Sequence, residues 1–224
     1  MPDYKAVLFD LDGTLADTAP DLGYALNEQR RLHGLPALSQ ESIRPQASHG
    51  ARGLLQLGFG ITPEDSNFTQ MREEYLTLYA THICLHTRLF PGTDALLTQL
   101  EQRHIAWGVV TNKPARFTLP LLEKLNLTQR AACIISGDTT PNAKPHPEPL
   151  LTAARQLGIH PQTCLYIGDA ERDVEAALAA GMTALIANYG YISTTDCPEA
   201  WGAHGRINTP QDILAYLASH PGPI

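Results

Sequence analysis

Two aspartates that directly follow an apolar run are the first candidates for chemistry in this sequence. The run Ala6-Val7-Leu8-Phe9 is typical of a strand that is buried on both faces of a parallel sheet. Asp10 and Asp12 follow it, and carboxylates this close repel each other unless a positive group, most often a divalent cation, lies near them. Gly13 lets the backbone approach a ligand closely. Taken alone, the stretch fits an ordinary acidic turn equally well.

Further polar residues follow the later apolar runs. They carry a hydroxyl, an amide, an ammonium group and two more carboxylates: Thr111, Asn112, Lys144, Asp169 and Asp173. Ligands of open α/β sheets bind beyond the carboxyl ends of the strands, so we expect these side chains at one edge of one sheet. Carboxylates, a hydroxyl and an ammonium group seldom recur by chance at one edge of one sheet.

The elements that must position these residues fall into two patterns. From Phe90 onward, helical and strand-like patterns alternate, which predicts an α/β fold with a doubly wound parallel Rossmann-like sheet. Residues 15–89 instead show one helical pattern after another and no strand pattern. We therefore predict a catalytic α/β core domain of residues 1–14 and 90–224, and an inserted helical cap domain of residues 15–89.

The four polar stretches resemble, in order and spacing, the four motifs of the haloacid dehalogenase-like hydrolase superfamily. The matching residues are Asp10-Leu11-Asp12-Gly13-Thr14, Thr111-Asn112, Lys144-Pro145, and Gly168-Asp169 with Asp173. The inserted helices resemble the cap of that superfamily, and the chain is similar to its phosphoglycolate phosphatase-like group. The resemblance implies that the first strand lies between the second and the fourth strands of the sheet.

The resemblance also implies a reaction, which is Mg²⁺-dependent hydrolysis of a small phosphorylated metabolite that carries a carboxylate. Asp10 would attack phosphorus and form an aspartyl-phosphate, and Asp12 would serve as general acid and base. Thr111 and Lys144 would hold phosphoryl oxygens. Backbone amides up to Gly13, together with Asn112, would assist in binding substrate. The implied metal ligands are Asp10, the backbone carbonyl of Asp12, Asp169 and Asp173.

Two groups of cap residues have competing interpretations. The stretch Ser48-His49-Gly50-Ala51-Arg52 begins a predicted cap helix, and His49 and Arg52 could bind the part of the substrate that is not phosphate. An exposed arginine on a surface helix is an equally good interpretation of Arg52. His82 and His86 are four residues apart on a predicted helix face, but the zinc-binding pattern His-Glu-x-x-His is absent, which favours an ordinary helix surface.

Composition limits the partners that we expect. The formal net charge is −7 and no run of Lys or Arg occurs, which argues against nucleic acid as a partner. No signal-peptide pattern and no apolar run long enough for a bilayer are found, so we predict a cytoplasmic protein without a membrane partner. The sequence leaves the oligomeric state open. We expect reduced thiols, two of them buried in strands, from the four widely spaced cysteines: Cys84, Cys133, Cys164 and Cys197.

Two other protein classes use an aspartate at the end of a strand. A receiver-type signalling module accepts a phosphoryl group there, but it needs no inserted cap and gives no reason for Asp12. A dehalogenase would use Asp10 to attack carbon and would need neither Asp12 nor Mg²⁺. Phosphate release from p-nitrophenyl phosphate, with and without Mg²⁺, separates these two classes from a phosphatase.

Overall fold

The computed structural model describes residues 4–220, and its centre is a six-stranded parallel sheet. The strands of the described chain are β1 (Ala6–Phe9), β2 (Ala16–Asp17), β3 (Arg88–Leu89), β4 (Ala106–Val110), β5 (Cys133–Ile135), β6 (Cys164–Gly168), β7 (Thr183–Ala187) and β8 (Gly205–Ile207). The central sheet has the order β5-β4-β1-β6-β7-β8, with parallel pairing throughout. The expected α/β fold and the central place of the first strand, between the second and the fourth, are confirmed.

Helices follow the strands and also fill the segment between β2 and β3. Their bounds are α1 (Ala19–Leu32), α2 (Gln40–Ile43), α3 (Gly50–Phe59), α4 (Phe68–Thr81), α5 (Thr93–Gln102), α6 (Ala115–Lys124), α7 (Glu148–Leu157), α8 (Glu171–Ala179) and α9 (Asp212–Ser219). A 3₁₀ segment, Arg44–His49, joins α2 to α3. Pro45 lies in the first turn of this segment, directly after the end of α2.

Two apolar cores cover the two faces of the sheet. Side chains alternate along β1, so Val7 and Phe9 belong to one core, whereas Leu8 belongs to the other. The first core is continuous with cap side chains such as Leu22 and Tyr75. The cap helices are thus packed on the α/β part through buried apolar surface, close to the carboxyl end of β1.

The prediction that residues 15–89 contain no strand is wrong. β2 and β3 pair antiparallel, with Ala16 opposite Leu89 and Asp17 opposite Arg88. The two connections to the cap run side by side, and this proximity lets them form a two-stranded ribbon. Two residues per strand are too few for an alternating pattern, so the pairing depends on tertiary contact. β8 was not predicted, because it begins with Gly205 and Arg206 and contains no apolar run.

The long cap helix ends before the predicted helix face of His82 and His86. Pro63 lies in a turn before the helix, where the backbone N–H of Thr62 donates to Asp65 at 2.8 Å. α4 begins at Phe68 and ends at Thr81, so His82 follows the helix and does not share a helix face with His86. The backbone N–H of His86 instead donates to Asp21 at 3.0 Å. The chain bends here because Asp21 binds the segment that leaves the cap.

The remaining features of the fold concern the chain termini, the cysteines and the apolar character of the helices. Residues 1–3 and 221–224 of the predicted catalytic domain lie outside the described residues, and the division into two domains stays a prediction. Cys133 and Cys164 are buried thiols in β5 and β6, as expected, whereas Cys84 is half-buried and Cys197 is exposed. Within residues 4–220, no helix has both the length and the apolar character that a membrane crossing requires.

Candidate active site

The ends of three neighbouring strands bring the predicted catalytic residues together. β1 leads into Asp10, β4 into Thr111, and β6 into Asp169, with β1 between the other two strands. All three side chains are buried. The backbone N–H of Asp10 still follows the sheet and donates to the carbonyl of Ile167 at 2.9 Å. The site is therefore built directly on the centre of the sheet, where its geometry is most rigid.

Asp10, Asp169 and Asp173 form a buried cluster in which one oxygen of each lies within 4.8 Å of the others. Asp10 Oδ1 accepts no hydrogen bond from any residue in 4–220. Lys144 Nζ is 2.9 Å from this oxygen, an ion-pair distance, but it lies outside hydrogen-bonding angles. A buried oxygen with a free lone pair beside two further carboxylates suits a hard divalent cation. These residues fit the expected Mg²⁺ site.

The pKa values of two of these carboxyl groups move in opposite directions. Burial alone would raise the pKa of Asp10, but the positive charges of Lys144 and Arg172 outweigh burial and lower it. Asp10 is therefore ionised, as a nucleophile must be. Burial, followed by the negative charges of Asp10 and Asp173, raises the pKa of Asp169 to about 7. The cluster thus has less positive charge than its carboxylates require, and a bound cation would supply it.

Lys144 lies at the centre of this charge distribution. Its buried ammonium group donates to Asp173 Oδ1 at 2.7 Å, to the Tyr166 hydroxyl at 2.7 Å and to the carbonyl of Val110 at 2.9 Å. The amide of Asn112 fixes its backbone, accepting from Lys144 N at 2.9 Å and donating to Lys144 O at 2.8 Å. In this structure Asn112 positions Lys144, and direct binding of substrate by Asn112 stays a prediction.

The turn after β1 is packed tightly against Asp169. Gly13 has a φ of +86°, and a Cβ there would overlap Asp169 Oδ2 and come within 2.8 Å of the Tyr191 ring. Its N–H donates to the carbonyl of Ala16 at 3.0 Å, so the predicted use of this amide for an anion stays a prediction. The hydroxyl of Thr14 donates to Asp169 Oδ1 at 3.1 Å. Glycine is needed here because the chain passes against a metal-binding candidate.

Asp12 is held apart from the carboxylate cluster. Its Oδ1 accepts from the Thr18 hydroxyl at 2.6 Å and from Lys113 Nζ at 2.9 Å, and Lys113 Nζ is 3.2 Å from Oδ2. The carboxylate of Asp12 is thus fixed by Thr18 and Lys113, and its role as general acid and base and the role of its backbone carbonyl as a metal ligand stay predictions. The Thr111 hydroxyl accepts from the N–H of Lys113 at 3.2 Å, which fixes the loop that carries both residues.

A cavity of about 700 Å³ lies between this site and the cap. Asp10, Asp12 and Thr111 line it, and so do the cap residues His49 and Arg52. The structure therefore brings the two predicted cap residues to the same cavity as the catalytic candidates. The remaining wall is partly apolar and aromatic and includes Leu22, Tyr75, Leu76, Tyr79 and Phe117.

One cap residue contacts the carboxylate cluster directly. The hydroxyl of Ser48 donates to Asp169 Oδ2 at 2.8 Å, and the carbonyl of Ser48 accepts from Arg172 Nη2 at 2.7 Å. Ser48 lies in the 3₁₀ segment immediately before His49. These two hydrogen bonds therefore hold the cap segment against the carboxylate cluster.

Several residues of the site had no role in the sequence-based prediction: Thr18, Lys113, Tyr166 and Arg172. Thr14 and Ser48 were named there only as members of longer stretches. Lys113 directly follows Thr111-Asn112, and Arg172 lies between two predicted metal ligands, so proximity to a motif was the available signal. Thr18 and Tyr166 carried no such signal because their contacts join residues from different elements.

Comparisons with known proteins agree with this geometry. The family model described as haloacid dehalogenase-like hydrolase matches residues 7–187. The N-acetylmuramic acid 6-phosphate phosphatase of Pseudomonas aeruginosa is 39% identical over 213 residues, covering 95% of this chain and 94% of that protein. The phosphoglycolate phosphatase of Xanthomonas campestris pv. campestris is 39% identical over 209 residues, covering 93% and 94%.

Solved structures show the same architecture. A crystal structure from Haemophilus somnus, described as a predicted phosphoglycolate phosphatase, has a TM-score of 0.83 and 26% identity, covering 95% of this chain and 97% of that one. The relatives named above are phosphatases, which leaves the receiver module and the dehalogenase without support.

Proposed function

This chain belongs to the haloacid dehalogenase-like hydrolase family and is a phosphatase, and we propose a mechanism and a substrate for it. The proposal is Mg²⁺-dependent hydrolysis of a small phosphate monoester that carries a carboxylate, through an aspartyl-phosphate. The proposal rests on the place of Asp10, which is buried and ionised beside Lys144 and lines the same cavity as Asp12.

Asp10 is the proposed nucleophile. One carboxylate oxygen forms a bond to phosphorus, the bond from phosphorus to the ester oxygen breaks, and its electron pair leaves with that oxygen. Water then attacks phosphorus, and the bond between Asp10 and phosphorus breaks to release phosphate. Asp12 gives a proton to the leaving oxygen in the first step and takes one from the water in the second.

The other residues of the site compensate the negative charge of the phosphoryl group. Lys144 and the Thr111 hydroxyl hold phosphoryl oxygens. Asp10, Asp169 and the backbone carbonyl of Asp12 would hold Mg²⁺, with Asp173 beside them. A bound Mg²⁺ would compensate the negative charge shared by these carboxylates and the phosphate. The free lone pair on Asp10 Oδ1 and the raised pKa of Asp169 support this assignment.

The cavity supports a substrate larger than a two-carbon acid. Its volume of about 700 Å³ lies within the usual range for sites that enclose whole small molecules. Its wall combines aromatic rings with the positive groups Arg52 and Arg72. A sugar phosphate with an apolar face and a carboxylate suits this wall, whereas phosphoglycolate would leave most of it without a contact.

N-acetylmuramic acid 6-phosphate is the substrate that we propose, and phosphoglycolate is the alternative. The stretches Tyr189-Gly190-Tyr191-Ile192 and Trp201-Gly202-Ala203 resemble the enzyme that acts on the first compound. Both relatives named above are 39% identical to this chain, so overall identity does not separate the two substrates. The first substrate would place the chain in cytoplasmic peptidoglycan recycling.

Steady-state kinetics on the purified protein test the proposal. With Mg²⁺, we expect kcat/KM for N-acetylmuramic acid 6-phosphate to exceed that for phosphoglycolate by about tenfold or more. The reverse order would assign the alternative substrate. Phosphate release from p-nitrophenyl phosphate that is equally fast after treatment with EDTA would contradict the role of Mg²⁺.

A further inference from the structure

Lys113 forms the closest charged contact of Asp12. Its ammonium group lies 2.9 Å and 3.2 Å from the two carboxylate oxygens, and the side chains of Lys113 and Asp12 are only 7% and 15% exposed. An ion pair with this little exposure is weakly screened by water and salt. The pair is therefore a fixed part of the site.

The cap supports the other side of the Lys113 ammonium group. Lys113 Nζ lies 4.7 Å from the ring centroid of Tyr79, a distance at which the aromatic face attracts a cation. Tyr79 belongs to α4 and is buried, and its hydroxyl has no hydrogen-bond partner among the described residues. Its ring packs at 5.5 Å against Phe117 of α6. The contribution of Tyr79 to this arrangement is thus its ring.

We propose that Lys113, supported by the ring of Tyr79, is a positioning residue that holds the carboxyl group of Asp12 in the orientation from which it protonates the leaving oxygen. This inference rests on the proposed function, in which Asp12 protonates the leaving oxygen. As the bond from phosphorus to that oxygen breaks, the proton passes over a short distance from Asp12 to it, so a misoriented carboxyl group slows this step.

The dependence of kcat/KM on the basicity of the leaving group tests this role of Lys113. Nitrophenolate is stable without a proton, whereas phenolate is more basic and needs more proton transfer as it leaves. Phenyl phosphate and p-nitrophenyl phosphate differ by one nitro group, so they present the same phosphoryl group and ring to the site. The measured quantity is the ratio of kcat/KM for p-nitrophenyl phosphate to kcat/KM for phenyl phosphate, which depends on steps up to the cleavage of the ester.

We expect Lys113→Gln to raise this ratio by about tenfold or more, because the loss falls mainly on phenyl phosphate. Lys113→Met keeps the apolar stem and removes the charge, so it should give the same change and serves if the glutamine variant does not fold. The matched control is Lys124→Gln, the same substitution on the exposed end of α6, which should keep the ratio of the wild type.

Substitutions of Tyr79 test the same proposal independently of Lys113. Tyr79→Phe keeps the ring face and should keep the wild-type ratio, whereas Tyr79→Leu removes it and should raise the ratio in the same direction as Lys113→Gln. Asp12→Asn sets the upper limit of the effect. An unchanged ratio in Asp12→Asn would contradict the proposed acid itself. A changed ratio there, with an unchanged ratio in both Lys113 variants, would overturn the role of Lys113 alone.

Discussion

At the scale of single residues, the site depends on carboxylates whose surroundings differ. Asp10 is paired with Lys144 and keeps its charge, Asp169 lies where two other acids oppose its charge, and Asp12 is paired with Lys113. The sequence predicted these carboxylates because they directly follow apolar runs. It could not predict Lys113 as the partner of Asp12, because that pair forms only when β1 and β4 lie side by side.

Asp169→Asn should weaken the binding of Mg²⁺ and reduce activity together, by about 100-fold or more at low Mg²⁺. The amide removes a negative ligand but keeps the size of the side chain, so excess Mg²⁺ should restore part of the activity. Titration of kcat with Mg²⁺ measures both effects. Glu171→Gln removes the same charge from an exposed position two residues away and should leave the titration unchanged. Identical midpoints for Asp169→Asn and the wild type would exclude Asp169 as a ligand.

The thiols should differ sharply in their reaction with iodoacetamide. Burial raises the pKa of Cys133 to about 12 and that of Cys164 to about 11, so at pH 8 both stay protonated and inaccessible. Cys197 is exposed and should be labelled first. Mass spectrometry of the native and the denatured protein gives the order of labelling. Early labelling of Cys133 or Cys164 in the native protein would contradict their place in the core.

At the scale of elements, the cap is tied to the catalytic part by contacts that its helical pattern does not reveal. Asp21 at the start of α1 accepts from the backbone N–H of His86 at 3.0 Å and of Thr87 at 2.8 Å, and from the Thr87 hydroxyl at 2.7 Å. Its carboxylate therefore joins the entry of the cap to the exit. The helical pattern of residues 15–89 carries no signal for this role of Asp21.

Asp21→Ala should lower the free energy of unfolding by roughly 3 kcal/mol, because two backbone N–H groups and a hydroxyl lose a buried charged acceptor. Asp21→Asn keeps one acceptor and should lose less. Denaturant titration measures the change. The exposed Asp94→Ala, on the first turn of α5, serves as the control and should change stability much less. Equal stability of the wild type and Asp21→Ala would show that these hydrogen bonds do not hold the cap.

Arg52 should determine the preference for a carboxylate. It lines the cavity from α3, so Arg52→Ala should lower kcat/KM for N-acetylmuramic acid 6-phosphate by about 30-fold or more, which corresponds to roughly 2 kcal/mol. The hydrolysis of p-nitrophenyl phosphate, which has no carboxylate, should change little. The exposed Arg103→Ala is the control. An equal loss on both esters would show that Arg52 acts on the phosphate or on the fold.

At the scale of the whole molecule, the fold was largely predictable and the closed site was not. Apolar runs marked five of the six strands of the central sheet, and the motif resemblance implied that β1 lies at its centre. The ribbon of β2 and β3 and the contact of Ser48 with Asp169 depend on segments that are distant in the chain. Local pattern cannot predict such contacts, because they arise only when the cap is packed on the sheet.

Phosphate release by Asp10→Asn tests whether the carboxylate of Asp10 attacks phosphorus. Asparagine has nearly the same size, so the variant should fold, with an unchanged circular dichroism spectrum. We expect kcat for p-nitrophenyl phosphate with saturating Mg²⁺ to fall by about 10⁴-fold or more, since a neutral amide cannot form the acyl phosphate. Turnover close to that of the wild type in the folded variant would contradict the mechanism proposed for this chain.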